Sequence, residues 1–111
     1  MRRVATGVAA AGLLLLASAC GNDAGSASSG EGKAVFTSAG CGNCHTLRDA
    51  GTTATVGPDL DERKPSAEKA EAVVRVGIQG TMPAFEGQLS DDEIEAVAAY
   101  VSESAGGADA G

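Results

Sequence analysis

Apolar residues recur with a helical period in three stretches of this chain, and with the period of a strand in none. The clearest stretch opens at Ser90-Asp91-Asp92-Glu93, a capping-box pattern with acids in the first turn. It continues with Ile94, Val97, Ala98 and Val101 on one face, which predicts an amphipathic helix. A second helix is expected from Pro65-Ser66 through Val76, with Ala70, Val73 and Val74 as its apolar side and Gly77 as its stop. A third, shorter one runs from Glu31 to Ala39, carries Val35 and Phe36, and ends near Gly40. Three helices without a convincing strand give an all-α fold class.

The ends read differently. Arg2 and Arg3 precede an apolar run from Val4 to Leu16, and small residues Ala17-Ser18-Ala19 lead into Cys20. That order is the order of an export signal over residues 1–19, and the run is shorter than the roughly 20 residues a spanning helix needs. Leu16-Ala17-Ser18-Ala19-Cys20 also resembles a bacterial lipoprotein cleavage box, although such boxes more often carry Leu where this chain has Ala17. Lipidation of Cys20 is therefore expected, with plain secretion and a spare thiol as the alternative. Residues 20–30 read as an anchor cysteine and a Gly- and Ser-rich linker, whose ten residues from Gly21 would span roughly 16 to 19 Å. The Gly- and Ala-rich tail, 105–111, reads as disordered. The compact domain is then 31–104.

Between the first and second helices stands Cys41-Gly42-Asn43-Cys44-His45, a Cys-x-x-Cys-His string of the kind that attaches haem through two thioether bonds. Positions three and four apart share a face on a turn of helix, so two sulfurs can hold a porphyrin edge while the imidazole reaches iron. Two rivals share the spacing. A thioredoxin-like dithiol would need a hydrophobic strand before Cys41 and a βαβ pattern around it. A structural zinc site would need four Cys or His ligands, and this chain offers one cysteine pair and one adjacent histidine. The chain has three cysteines, and the haem and lipid readings use all of them. Phe36, Phe85 and Tyr100 are its only aromatic residues, a thin supply for so small a domain unless a cofactor fills the centre.

If His45 binds iron through Nε2, its Nδ1–H needs an acceptor, and Gly57-Pro58-Asp59-Leu60 is a candidate source in the Pro58 carbonyl. Read without that context, Gly-Pro is simply a turn. The chain has no second histidine, and of its two methionines Met1 leaves with the signal segment, so the candidate for the other axial position is Met82, in Gly80-Thr81-Met82-Pro83-Ala84-Phe85. The proline pushes Met82 towards extended backbone, on a loop able to reach the open face of the haem. A lone methionine is otherwise core filler. Tyr100 lies beside the apolar stripe of the last helix, where it either packs on the first helix near Gly32 and Phe36 or stays half exposed.

Taken together, the residues from Glu31 to about Ser104 resemble the class I c-type cytochromes, especially small membrane-anchored bacterial monohaem ones. The resemblance rests on Gly32-x-x-x-Phe36, the Cys41-to-His45 string, Gly57-Pro58-x-Leu60, Met82-Pro83-Ala84-Phe85, and Leu89-Ser90 before the last helix. It implies a small cytochrome c fold of three main helices around one covalent haem c. In that fold Cys41 and Cys44 form the thioethers, His45 and Met82 bind iron, and Pro58 orients His45. It implies packing of the first helix on the last through Gly32, Phe36 and Tyr100. It leaves the propionate contacts open, with Arg48, Arg63 and Lys64 as nearby candidates.

Iron held on both faces has no open position, which favours one-electron transfer over catalysis, and a thioether ligand favours ferrous iron. The expected role is a non-enzymatic carrier between membrane respiratory complexes, from a quinol-cytochrome c oxidoreductase to a terminal oxidase. A lipid anchor would place it on the extracytoplasmic face of the membrane; without one it would be secreted or periplasmic. The alternative is a haem-based sensor or small peroxidase-like enzyme in which Met82 leaves. The net charge is −7, and −9 once residues 1–19 with their two arginines are removed. That excess of acid excludes nucleic acid as a partner; it either suits a basic docking partner or keeps an exported protein soluble.

Overall fold

The computed structural model describes residues 24–107, with side-chain surroundings from Gly30 onward. The signal segment, Cys20 and residues 108–111 lie outside the described residues. Among the described residues there are four α-helices: α1 (Ala24–Ser38), α2 (Leu60–Arg63), α3 (Ala67–Val76) and α4 (Asp91–Ala105). Helix α1 starts seven residues before Glu31, inside the stretch read as a linker.

The last helix begins where its capping box placed it. Ser90 Oγ accepts from the Glu93 N–H at 3.1 Å, and the Glu93 carboxylate accepts from the Ser90 N–H at 3.0 Å. It ends in a Schellman motif: Gly106, at φ 82°, donates to the Glu103 carbonyl and Gly107 to that of Ser102. Gly107 is buried against Lys64 and Pro65, where a Cβ would overlap the Pro65 carbonyl. The expectation of disorder over 105–111 is corrected at its start, because the capping bonds and this contact hold Ala105, Gly106 and Gly107 in place.

α1 and α4 cross at Gly32. A Cβ there would overlap the Ala96 carbonyl oxygen and the Tyr100 Cβ, so only glycine allows the backbones this close. One turn on, the Phe36 and Tyr100 rings meet edge to face at 5.8 Å and 64°. Val35, Phe36, Leu47, Val97, Tyr100, Val101 and Ala105 form the core, and Tyr100, 2% exposed, belongs to it rather than to the surface. α3 also packs against α4. Its N-cap Ser66 accepts from the Lys69 N–H, and Ala70 is its one buried residue.

Two features depart from the three-helix expectation. A two-stranded antiparallel ladder, β1 (Thr46–Leu47) with β2 (Thr52–Thr53), follows the cysteine string. Strands of two residues are too short to show an alternating pattern. The four-residue α2 is nucleated by Asp59, whose carboxylate accepts from the N–H groups of Asp61 and Glu62.

The core is lopsided. From Arg48 to Glu93 only Ala70 is buried, while Val56, Val76 and Ile78 are 74%, 68% and 51% exposed. Large apolar side chains left open across the middle of a small domain indicate a surface made to receive something.

Candidate haem-attachment site

Gly40, at φ 78°, ends the approach from α1 and turns the chain into a 3-10 turn over Cys41–Asn43. The Cys44 and His45 N–H groups both donate to the Cys41 carbonyl, at 3.2 and 3.0 Å, which gathers the two cysteines and the histidine on one turn. Gly42 sits where a Cβ would overlap the Thr52 methyl group, so β2 closes directly over the turn. Thr52 ties the two together, donating from its hydroxyl to the His45 carbonyl at 2.8 Å and accepting from the Leu47 N–H at 3.0 Å.

The loop after β2 returns to the imidazole. The Gly57 N–H donates to the Cys44 carbonyl, and a Cβ on Gly57 would stand 2.6 Å from His45 Cε1, so the ring lies flat against bare backbone. His45 Nδ1 lies 2.8 Å from the Pro58 carbonyl oxygen. A carbonyl only accepts, so Nδ1 carries the proton, and Nε2 keeps its lone pair free for another partner. Cys41, Cys44, His45 and Pro58 therefore form one hydrogen-bonded unit.

Met82 stands on a separate loop, and among the described residues its backbone bonds run to Ile78 rather than to this unit. The loop folds back on the end of α3: Ile78 and Met82 exchange N–H and carbonyl bonds at 2.9 Å. Phe85 N–H donates to the Val74 carbonyl at 3.0 Å and Glu86 N–H to that of Arg75 at 3.2 Å. Two of the last carbonyls of α3, orphans in any helix, are thus satisfied by the segment that carries Met82. Gly77, at φ 68°, makes room for it, since a Cβ there would press on the Met82 carbonyl oxygen.

The donor set discriminates among the chemistries. Cys41 and Cys44 are unbridged, and burial pushes the Cys41 thiol above its usual range, the reverse of the lowered pKa that makes a redox dithiol reactive. Among the described residues no group of three or more His, Cys, Asp or Glu side chains is arranged to hold a metal ion alone, as structural zinc would require. Two free thiols on one turn beside a histidine with Nε2 free, with exposed apolar side chains on both flanking loops, would fit a haem.

Sequence reasoning passed over Thr52 and Asp61, whose carboxylate accepts from the Arg48 N–H at 2.8 Å and pins the segment before β2. It also passed over Asp49, which accepts from the Tyr100 hydroxyl at 2.6 Å and pairs with Lys33 at 3.6 Å. The Tyr100 hydrogen bond, with a smaller contribution from Lys33, holds the Asp49 carboxyl below the ordinary carboxylate range. Folding thus favours ionised Asp49, and its stabilisation is present above the unfolded value near 3.8 and lost as pH falls through the lowered folded one. Tyr100, raised by burial and then by Asp49, favours its neutral form, so its share is complete below about pH 10 and lost above. The thermal midpoint is expected to fall on acidification below about pH 4, and to fall less steeply in Asp49→Asn, as read by scanning calorimetry.

A family described as cytochrome c oxidase, cbb3-type, subunit III matches residues 27–101. Cytochrome c6 of Tetradesmus obliquus is 43% identical over 86 residues, covering 68% of this chain and 90% of the relative. Cytochrome c6 of Synechocystis sp. (strain ATCC 27184 / PCC 6803 / Kazusa) is 34% identical over 92 residues, 77% of this chain and 72% of the relative. Among solved structures, the c-type cytochrome SorU from Sinorhizobium meliloti superposes with a TM-score of 0.68 at 48% identity, over 75% of this chain and 97% of that one.

The chain belongs to this family and is a class I monohaem c-type cytochrome. It binds haem c covalently and serves as an electron carrier, working with redox partner proteins.

Proposed function

We propose that Cys41 and Cys44 are the thioether attachments, that His45 and Met82 bind iron from opposite sides, and that Pro58 sets the orientation of His45. The observation that carries this reading is the 2.8 Å bond from His45 Nδ1 to Pro58, which leaves Nε2 as the free donor on the same turn as both sulfurs. When bound, the haem supplies a one-electron couple. The chain supplies the rest: His45 is locked by Gly57 and Pro58, so its geometry can stay fixed through a change of oxidation state. Met82 fills the remaining position and contributes a soft sulfur that favours the reduced form.

The carrier is not an enzyme in this reading, because both axial positions are taken. It shuttles electrons outside the cytoplasm between membrane respiratory complexes, from a quinol-oxidising complex to a terminal oxidase. Cys20, lipidated after removal of residues 1–19, tethers it to the membrane, where a tether raises its effective concentration near both partners. No helix among the described residues is long and apolar enough to cross a membrane. The acidic surface suits basic docking faces on those partners.

Absorption spectra of the purified ferric protein test the ligand set. A far-red methionine-to-iron band and a pyridine haemochrome of the two-thioether type are expected. Absence of the band, with ready carbon monoxide binding on reduction, would favour the sensor or peroxidase-like role. Acylated Cys20 in the mass spectrum of the mature N-terminus, and transfer of Cys20→Ala to the soluble fraction, are expected of the anchor.

A further inference from the structure

The segment carrying Met82 has no core of its own. None of residues 77–90 is buried, and Gly77, Gly80 and Gly87 all have positive φ. Such a segment opens at low cost unless something besides packing restrains it. Backbone bonds tie it to Val74 and Arg75 and Leu89 leans on the core, while its ion pairs gather on one side chain. Arg75, in the last turn of α3, donates from Nη1 to Asp91 Oδ1 at 2.7 Å and from Nη2 to Glu71 Oε1 at 3.0 Å, and Glu86 Oε1 lies 3.9 Å from Nη1. Glu71 fixes the guanidinium on its own helix. Glu86 belongs to the Met82 segment, and Asp91 begins α4 directly after it.

We propose that Arg75 is a positioning residue for Met82: by joining the end of α3 to Glu86 and Asp91 it keeps the loop closed and Met82 on the iron. The proposal rests on the reading of Met82 as an axial ligand. The polar partners of Arg75 are Glu71, Glu86 and Asp91, so it acts on Met82 through the loop. Its side chain is 24% exposed, those of Glu86 and Asp91 are 62% and 82% exposed, so each pair alone is weak. The force of the arrangement lies in its place. Glu86 N–H also donates to the Arg75 carbonyl, so backbone and side chain of one residue hold the same stretch of loop. Two weak cross-segment pairs are enough to matter where no buried residue competes with them.

Imidazole, titrated into the ferric holoprotein, competes with Met82 for its place, and loss of the far-red band reports the exchange. Arg75→Gln is expected to bind imidazole about three- to tenfold more tightly than the wild type, the effect of two partly exposed pairs. Glu86→Gln, which spares the bonds to Asp91 and Glu71, should give about a twofold change, and Arg75→Lys should recover part of the loss. Raising salt to about 1 M should bring the wild type towards Arg75→Gln, because screening weakens the same pairs. If Arg75→Gln fails to fold, Glu86→Gln and the salt titration of the wild type decide the matter on their own.

Unchanged imidazole affinity in these variants and at high salt, with the far-red band intact, would overturn the proposal even if their thermal midpoints fall. A general structural role lowers global stability without altering local competition at Met82. A wild type lacking the band and binding imidazole as tightly as Met82→Ala would overturn the Met82 assignment, and this proposal with it.

Discussion

Replacing Cys41 and Cys44 together by alanine is expected to yield a polypeptide with no cooperative unfolding transition. The reason lies in the one-sided core. Among the described residues every buried one except Ala70 belongs to α1, to β1, or to α4 with its cap, and from Arg48 to Glu93 only partly buried side chains such as Leu60, Val74 and Leu89 reach that core. Val56, Val76 and Ile78 are open to solvent unless a large apolar body covers them, and covering the exposed part of each is worth about 1–2 kcal/mol. Those three alone amount to a large share of the roughly 5–15 kcal/mol that holds a small domain together. Without thioethers the haem is free to leave, and α1, α3 and α4 remain as helices whose shared core is small. Far-ultraviolet circular dichroism should lose about half its helical signal or more, and heating should give a gradual slope. A sharp thermal transition in the colourless variant would show that the polypeptide folds without its cofactor.

What the sequence made legible is mostly local. The capping box at Ser90 and the stripe of Ile94, Val97, Ala98 and Val101 were readable because every signal lies within one helix, and all four apolar residues are buried. The pairing of Gly32, Phe36 and Tyr100 spans most of the chain; no periodicity reveals it, and it came from the family resemblance. The Pro58 acceptor for His45 was readable because a metal-binding imidazole needs one and Gly57-Pro58 offered a carbonyl in an extended loop.

What stayed hidden depends on distance along the chain or on elements too short to leave a pattern. β1 and β2 have two residues each, held by the Thr52 hydroxyl more than by any β-rich run. α2 left a readable trace, since Asp59 followed by Asp61 and Glu62 is a helix start, but the proline before it drew attention to a turn. The bonds of Tyr100 to Asp49 and of Arg75 to Asp91 join residues 51 and 16 positions apart, and single charged residues on a polar surface announce no partner. The start of α1 at Ala24 was missed for a different reason: its first turns are glycine, serine and alanine, which carry no amphipathic stripe.

Met82→Ala is expected to have the second large effect, and on function rather than folding. The side chain is half-buried, and its loop is held to α3 by backbone bonds that alanine keeps, so the domain should unfold within a few degrees of the wild type. On the ligand set proposed above, the iron, by contrast, loses a soft sulfur. A thioether favours ferrous iron, and water or a stronger donor in its place favours ferric. The midpoint potential should fall on the order of 0.3 V, a fraction of the roughly 0.8 V that axial ligation spans across haem proteins. The far-red band should vanish, and carbon monoxide should bind the reduced protein rapidly because a position is open. Potentiometric titration and flash photolysis read both changes. Were the potential and the carbon monoxide affinity to match the wild type, Met82 would not be the ligand; closed coordination, the reason for reading this cytochrome as a carrier and not a sensor, would then have to come from elsewhere.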